Sequence, residues 1–517
     1  MRLEDFQLEL KPLPGAMPIW HGRVDARQWR TACQQVRNKG GRLVALWAAD
    51  NRDGSGAFSV HAALTVQSGL LVITLPLDGE SYPDVADIFP GANRMQRAAY
   101  DLFGVRAENA ADRRKWLRHA AWRAEEFPLR KDFISRQPSV VTGSSEADDY
   151  PFVRVEGEGV HEIPVGPVHA GTIEPGHFRF SIVGEGILRL EERLGYKHKG
   201  IEKRFESMTL AEGAKLAGRV SGDSTVAYAW AYAMAVEGVT AVTPPQRALW
   251  LRALLLERER VGQHLWDLGF LGNDAGLAFG LAQFSRLRED WLRASHALFG
   301  HRYLMDAIVP GGVARDIDAH GVVRMRDEIK AAGKAVALLK NIYDEHAGLQ
   351  DRFIGCGRVR PEVADRMGLT GLAGRASGLA WDLRAQFPPV PYDSFDTRMA
   401  THRNGDVAAR VTVRFEEIAE SLRLIGLILS GLPGGDIARP VPDAPGNALG
   451  IGWVEGWRGE VLIALETGAA NRIRRLHPHD PSWQNWPLLE RAVLGNIVPD
   501  FPLINKSFNL SYSGHDL

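Results

Sequence analysis

From Ile134 to Pro151 the sequence reads ISRQPSVVTGSSEADDYP, which is polar, rich in Ser, Gly, Pro and Asp, and without a hydrophobic period. A stretch of this kind supports neither an amphipathic helix nor a half-buried strand, so the parts on either side must each bury their own core. The expected organisation is a domain over residues 1–133, a linker over 134–151 and a second domain over 152–517. At 517 residues and 45% hydrophobic content, the chain is long enough for that division.

The two sides carry different periods. On the first, Asp25 is placed to cap a helix bearing Trp29, Cys33 and Val36 on one face, ended by Gly40-Gly41. RLVALWAAD, AFSVHAALTV and GLLVITLPL follow as strands separated by NRDGSG and QSG turns, so a compact unit with an antiparallel sheet is expected. On the second, Thr243 and Pro244-Pro245 open a helix with Leu251, Leu254, Leu255, Val261, Leu265 and Leu268 on one face. Val322, Met325, Ile329, Val336, Leu339 and Tyr343 make another such stripe, and Ile418, Leu422, Ile425 and Leu429 a third. The fold class expected is α+β: an N-terminal α/β domain with a mainly antiparallel sheet, then a mainly α-helical bundle with peripheral strands.

Charge narrows the partners. Sixty-two Lys+Arg against 63 Asp+Glu leave a formal charge of −1, so no global field draws in nucleic acid, and none is expected as a partner. Cys33 and Cys356 are the only cysteines, which excludes a four-cysteine iron–sulfur ligand set in this chain and points to a reducing compartment. The start, MRLEDFQLELKPLPG, has acidic residues where an export signal needs a basic and then an apolar run, so no export is expected. STVAYAWAYAMAV is too short to span a bilayer, so any place at a membrane is expected to come through partners.

The densest polar constellation is HEIPVGPVHAGTIEPGHFRF, residues 161–180, with His161, His169, Glu174 and His177. Imidazole and carboxylate together serve proton transfer or zinc binding, and surface-loop histidines are the plainer reading. EERLGYKHKGIEKRFE, residues 191–206, reads as a solvated charged face. Asp274 in FLGNDAGLAFG is either a surface group at a helix end or a buried proton carrier. GLTGLAGRASG, residues 368–378, lacks the GK[ST] of a phosphate loop and reads as tight packing or a turn.

Taken together, several segments resemble a known family. DIFPGANRMQRAAYDLFGV (87–105) and FPLRKDF (127–133) resemble the 30 kDa subunit of respiratory complex I. GPVHAGTIEPGHFRF, LGYKHKGIEK, RASGLAWDLR (375–384) and GDVAARVTVRFEEIAESLRLI (405–425) resemble its 49 kDa subunit. The fused order, and the tail NIVPDFPLINKSFNLSYSG (496–514), are more similar still to the large subunit of formate hydrogenlyase and hydrogenase-4. The resemblance implies that the helical bundle is of the nickel–iron hydrogenase large-subunit type.

It also implies a set of site residues. Hydrogenases of this kind hold nickel and iron with two Cys-x-x-Cys pairs, whose places here are taken by Ser221 and Ser224 in RVSGDS and by Ser511 and Gly514 in SYSG. A serine hydroxyl stays protonated near neutral pH and glycine has no side chain, so this set cannot replace thiolates, no metal is expected, and hydrogen chemistry is excluded. Where complex I has a quinone-binding tyrosine this chain has Arg219, as hydrogenases do, whereas the histidine partner is kept as His177. Glu174 matches a proton-relaying carboxylate of hydrogenases and Asp274 a carboxylate under the complex I quinone pocket; His169, Arg375 and Asp382 are expected to line that pocket with the serines.

The function implied is that of a large subunit in a membrane-associated, complex I-like oxidoreductase complex on the inner face of the cytoplasmic membrane. It would take electrons from an iron–sulfur partner, pass them to a quinone or another small acceptor, and couple this to ion translocation. His177, Glu174, Asp274 and Arg219 would carry the chemistry, with no cofactor in this chain and iron–sulfur clusters in partners. Expected partners are a small iron–sulfur subunit like the complex I 20 kDa subunit, a ferredoxin-like subunit and antiporter-like membrane subunits. The other expectation is an inert coupling subunit that bridges the cluster-bearing subunit and the membrane arm. A zinc site from His161, His169 and His177 is the remaining alternative.

Overall fold

The computed structural model describes residues 6–54, 56–119, 122–123, 125–134, 150–171, 173–206 and 208–517. Residues 135–149, most of the expected linker, lie outside the described residues. The first sheet contains β1 (Lys11–Pro12), β2 (Ile19–Arg23), β3 (Leu43–Asp50), β4 (Phe58–Val66) and β5 (Gly69–Pro76), in the order β1-β2-β5-β4-β3. Its pairs are antiparallel except β2 with β5, which run parallel because α1 (Ala26–Asn38) carries the chain away from β2 before β3 begins. Asp25 caps α1 as expected: its side chain accepts from the Gln28 N–H while Gln28 reaches back to the Asp25 N–H, and Trp29, Cys33 and Val36 face the sheet side. α2 (Ala92–Phe103) packs on β3, between the paired short strands β6 (Ser81–Pro83) and β7 (Arg106–Glu108).

The second part opens with the meander β8 (Val160–Val165), β9 (His177–Val183) and β10 (Gly186–Arg193). Short helices α3 (Ile201–Phe205) and α4 (Leu210–Ala217) lead to α5 (Thr225–Thr240), α6 (Gln246–Asp274) and α7 (Ala278–Phe299). After the small ribbon β11 (Ile308–Val309) and β12 (Gly312–Val313) come α8 (Ala319–Glu345), α9 (Ala347–Phe353), α10 (Pro361–Met367), α11 (Gly371–Ala376), α12 (Leu383–Gln386) and α13 (Val407–Gly431). The sheet β13 (Leu449–Glu455), β14 (Glu460–Thr467) and β15 (Ile473–His479) covers α5, and α14 (Ser482–Ala492), α15 (Phe501–Phe508) and α16 (Tyr512–Asp516) complete the described chain. The fold is therefore mixed α+β, a sheet-rich N-terminal part followed by a helical body with strands at its edge. Among the described residues no helix is long and apolar enough to cross a membrane.

α6 departs from the amphipathic pattern. Its leucines form the expected stripe, yet Arg252, Glu257, Arg258, Glu259, Arg260 and Asp267 are buried as well. They survive there because most meet an opposite charge: Arg252 with Glu237, Arg258 with Glu328, Glu257 with Arg260 and Arg384, and Asp267 with Arg414 and Lys506. The run 191–206 is likewise not a solvated face. Glu192 and Arg193 are fully buried and Glu202 nearly so. Glu192 takes a hydrogen bond of 2.8 Å from Arg94, and Glu202 pairs with Arg475 at 2.8 Å. Partners remote in sequence thus turn a polar-looking segment into core.

A column of rings joins the first sheet to the C-terminal segment. Trp47 stacks between His61 at 5.1 Å and His477 at 5.3 Å; His477 leads to His479 at 5.9 Å, and Trp483 stacks on His479 at 6.4 Å and on His515 at 4.0 Å. Burial lowers the His479 imidazole to about 3, and His477 adds to the shift. Above pH 6.5, its ordinary value, folded and unfolded chains both carry it neutral; between 6.5 and 3 mainly the unfolded chain binds the proton. Stability should therefore fall on acidification through that window, by about 1.4 kcal/mol per pH unit for this group. Denaturation midpoints at pH 7 and pH 5 should show a shallower loss in His479→Gln than in the wild type.

Candidate functional site

The residues at the expected metal-ligand positions converge, and they close on one another. Ser221 ends the loop after α4, Ser224 precedes α5, and Ser511 caps α16 by accepting from the Gly514 N–H at 2.9 Å. The Ser221 and Ser511 hydroxyls hydrogen-bond directly at 2.9 Å, and Ser221 also donates to Asp223 at 2.7 Å. From the β13–β14 turn Arg458 donates to Ser224 at 3.3 Å, to the Asn509 carbonyl at 2.5 Å and to Asp223 in a short ion pair. Burial alone would raise the Asp223 pKa, but Arg458 and the Ser221 hydroxyl hold it below the usual carboxylate value.

A nickel–iron centre does not fit this set. Three positions offer hydroxyls, two of them already in contact, and the fourth offers nothing. A Cβ on Gly514 would overlap the Asp480 carboxylate and the Ser511 hydroxyl. Asp480 is itself held by the Tyr228 hydroxyl at 2.8 Å and by the Ser482 N–H at 2.9 Å. Gly514→Cys should therefore destabilise by about 1–3 kcal/mol through overpacking, as read by chemical denaturation.

Of the other expected residues, Glu174 and His169 do reach this segment. Glu174 accepts from the Ser513 N–H at 3.0 Å and lies 3.6 Å from the Lys197 ammonium, while His169 Nε2 lies 3.5 Å from the Tyr512 hydroxyl. His177 does not hydrogen-bond to the serines: its Nδ1 lies 3.3 Å from the Gly166 carbonyl and its Nε2 accepts from Arg179 at 3.4 Å. Burial lowers its pKa, Arg179 adding to the effect. Arg219 turns outward in a bidentate pair with Asp306 at 2.6 and 2.7 Å. Asp274 ends α6 half-buried, its pKa raised by burial.

Arg375 and Asp382 belong to a buried ion network. Arg375 pairs with Glu417 at 2.7 Å and Glu455 at 2.9 Å, and Asp382 pairs with Arg384 at 2.6 Å. His264 joins through Glu417 at 2.8 Å. His161, His169 and His177 make separate contacts, and among the described residues no three His, Cys, Asp or Glu side chains assemble as a metal site. The zinc alternative thus has no geometric support.

Sequence reasoning missed Asp223, Lys199 and Arg458. Lys199 donates to the Val220 carbonyl at 2.8 Å; burial lowers its pKa, while Glu174, Asp516 and Asp223 around it oppose the shift. Its place in LGYKHKG was in view, but the carboxylates that surround it, Glu174, Asp223 and Asp516, come from three other segments.

Residues 23–139 match the 30 Kd subunit family of respiratory-chain NADH dehydrogenase and residues 274–444 match its 49 Kd subunit family. The chain belongs to the family of large subunits in which these two parts are fused. It is 31% identical to formate hydrogenlyase subunit 5 of Escherichia coli (strain K12) over 487 residues, covering 92% of this chain and 85% of the relative. Hydrogenase-4 component G of the same organism is 30% identical over 484 residues, covering 92% and 84%. The fused C/D polypeptide of the NADH-quinone oxidoreductase of Phocaeicola vulgatus is 30% identical over 403 residues, covering 74% and 77%. A chain in the solved structure of the membrane-bound sulfane sulfur reductase, an archaeal respiratory membrane complex, is similar with a TM-score of 0.66 and 25% identity, over 69% of this chain and 99% of that one.

Proposed function

We propose that this chain is the large subunit of a membrane-associated, complex I-like oxidoreductase complex that performs no hydrogen chemistry. It receives electrons from a partner iron–sulfur subunit, passes them to a quinone or another small acceptor, and couples the transfer to ion translocation. The supporting observation is that Glu174, Lys199 and Asp223 remain gathered around the closed serine positions, with Arg458 behind them. Ionisable groups so placed suit an acceptor that gains protons as it gains electrons. Relatives include both NADH-quinone oxidoreductase polypeptides and a sulfane sulfur reductase, so quinone and sulfane-sulfur compounds are the two acceptor classes to try.

In this reading His177 positions or donates a proton, Glu174 and Asp274 relay protons, and His169, Ser221, Ser224, Arg375 and Asp382 shape the pocket. Arg219 reaches an acceptor only by exchanging Asp306 for it. The test is reduction of a quinone analogue by the assembled complex. His177→Ala should lower turnover on the order of a hundredfold, and Arg219→Ala should lower it less. Unchanged turnover in both would overturn the assignment.

The direct Ser221–Ser511 contact favours a second reading, in which the closed pocket is inert and the protein links the cluster-bearing partner mechanically to the membrane arm. An assembled complex that reduces no acceptor but loses ion translocation without this protein would select it.

A further inference from the structure

Behind the serine loop lies a buried acid that none of the roles above uses. Glu259, on the face of α6 toward α5, is only 6% exposed. Its carboxyl oxygens accept from the Val226 N–H at 2.7 Å and the Ala227 N–H at 3.3 Å, in the first turn of α5 directly after Ser224. No lysine, arginine or histidine among the described residues forms an ion pair with it, although its neighbours on the same helix, Glu257 and Asp267, each have at least two. Asp223 stands in front of it, about a third exposed and neutralised by Arg458. Thr225, between Ser224 and Val226, has a buried hydroxyl with no hydrogen-bond partner among the described residues.

Two carboxyl groups on either side of the serine loop are thus held in opposite states. Asp223 is paired and held ionised, whereas Glu259 lacks a counter-charge in a dry setting that favours the neutral acid. We propose that Glu259 is the proton store of the proposed acceptor site, discharged when an acceptor beside Asp223 and Arg458 is reduced. This role rests on the proposed function. The acceptor takes one electron from the partner iron–sulfur subunit, the Glu259 O–H bond breaks, its proton ends on the reduced acceptor, and the carboxylate reloads from solvent.

The balance of forces agrees. Burial raises the Glu259 carboxyl to about 8; the two backbone N–H groups oppose this, Asp223 adds to it and Arg260 opposes it. Asp223 acts on it from the loop before α5 and Arg260 from its own helix, with Arg458 of the β13–β14 turn paired to Asp223.

The test has two readouts on the assembled complex. Infrared difference spectra between wild type and Glu259→Gln should show a protonated-carboxyl band at pH 7 that belongs to Glu259 and titrates away near pH 8. Acceptor reduction should decline on the alkaline side with the same midpoint. Glu259→Gln keeps an oxygen for the α5 N–H groups, and it should lower maximal turnover on the order of a hundredfold and abolish that limb. Glu259→Asp should restore part of both. No such band at pH 7, or a Glu259→Gln complex with an unchanged alkaline limb, overturns the role alone. A wild-type complex that reduces no acceptor overturns the proposed function and this role with it, even where the band titrates.

Discussion

Replacing Arg375 by alanine is expected to destabilise the protein by about 3–5 kcal/mol, enough to remove much of the stability of an ordinary domain. Arg375 is 1% exposed and donates to Glu417 at 2.9 Å, to Glu455 at 2.9 Å and to the Trp381 carbonyl at 3.0 Å. Burial by itself would lower its pKa, but Glu417, Asp382 and Glu455 hold it above its ordinary value. The same cation holds Glu417 well below the carboxylate range against the cost of burial, while Glu455, dry and beside Asp382, rises to about 7. Truncation leaves the Glu417 carboxylate in the interior without its main counter-charge, while Glu455, already near its midpoint at pH 7, goes over to the neutral acid. Chemical denaturation should show the loss at pH 7, and it should shrink toward acid, where Glu417 takes up a proton. A midpoint within error of wild type would mean that the network carries no stability. A loss of turnover in this variant therefore reports folding before it reports a role in an acceptor pocket.

Trp483→Ala should cost a comparable 3–5 kcal/mol, roughly, by a different route. The indole is 3% exposed and stacks on His515 at 4.0 Å and on His479 at 6.4 Å. It thereby fixes α16, and with it Ser511, against β15. Trp116, from the N-terminal part, donates to His515 at 3.3 Å on the other side. Removing the indole opens a cavity where both parts of the chain meet the C-terminal segment, so exchange of the backbone amides of residues 512–516 should accelerate together with the fall in midpoint. Trp483→Phe should recover most of the loss. A destabilised variant with unchanged exchange in that segment would show that α16 is held by other contacts.

Where local rules governed, the sequence was legible. Asp25 as the cap of α1, the three first-sheet strands and the Pro244-Pro245 opening of α6 depend on neighbours within a few residues, and each element formed where the pattern placed it. The charged core was not legible. Arg94 and Glu192 are 98 residues apart, and Arg375 and Glu455 80, so the pattern read Glu192 as solvated and the resemblance placed Arg375 in a pocket lining, not in a buried ion network. The site was half legible. The resemblance located Ser221, Ser224, Ser511 and Gly514, but the pattern could not show that their hydroxyls meet, that Arg458 joins Asp223 to Ser224, or that Glu259 lies behind them. Those are long-range facts, with Ser221 and Ser511 290 positions apart.

In the proposed function this large subunit moves electrons to an acceptor past former metal-ligand positions whose hydroxyls are hydrogen-bonded to one another. Acceptor reduction and hydrogen release, followed together in one preparation of the assembled complex fed by a low-potential electron donor, decide this. The expected result is reduction of a quinone analogue or a sulfane-sulfur compound with no hydrogen formed. Hydrogen release that tracks donor consumption would contradict it.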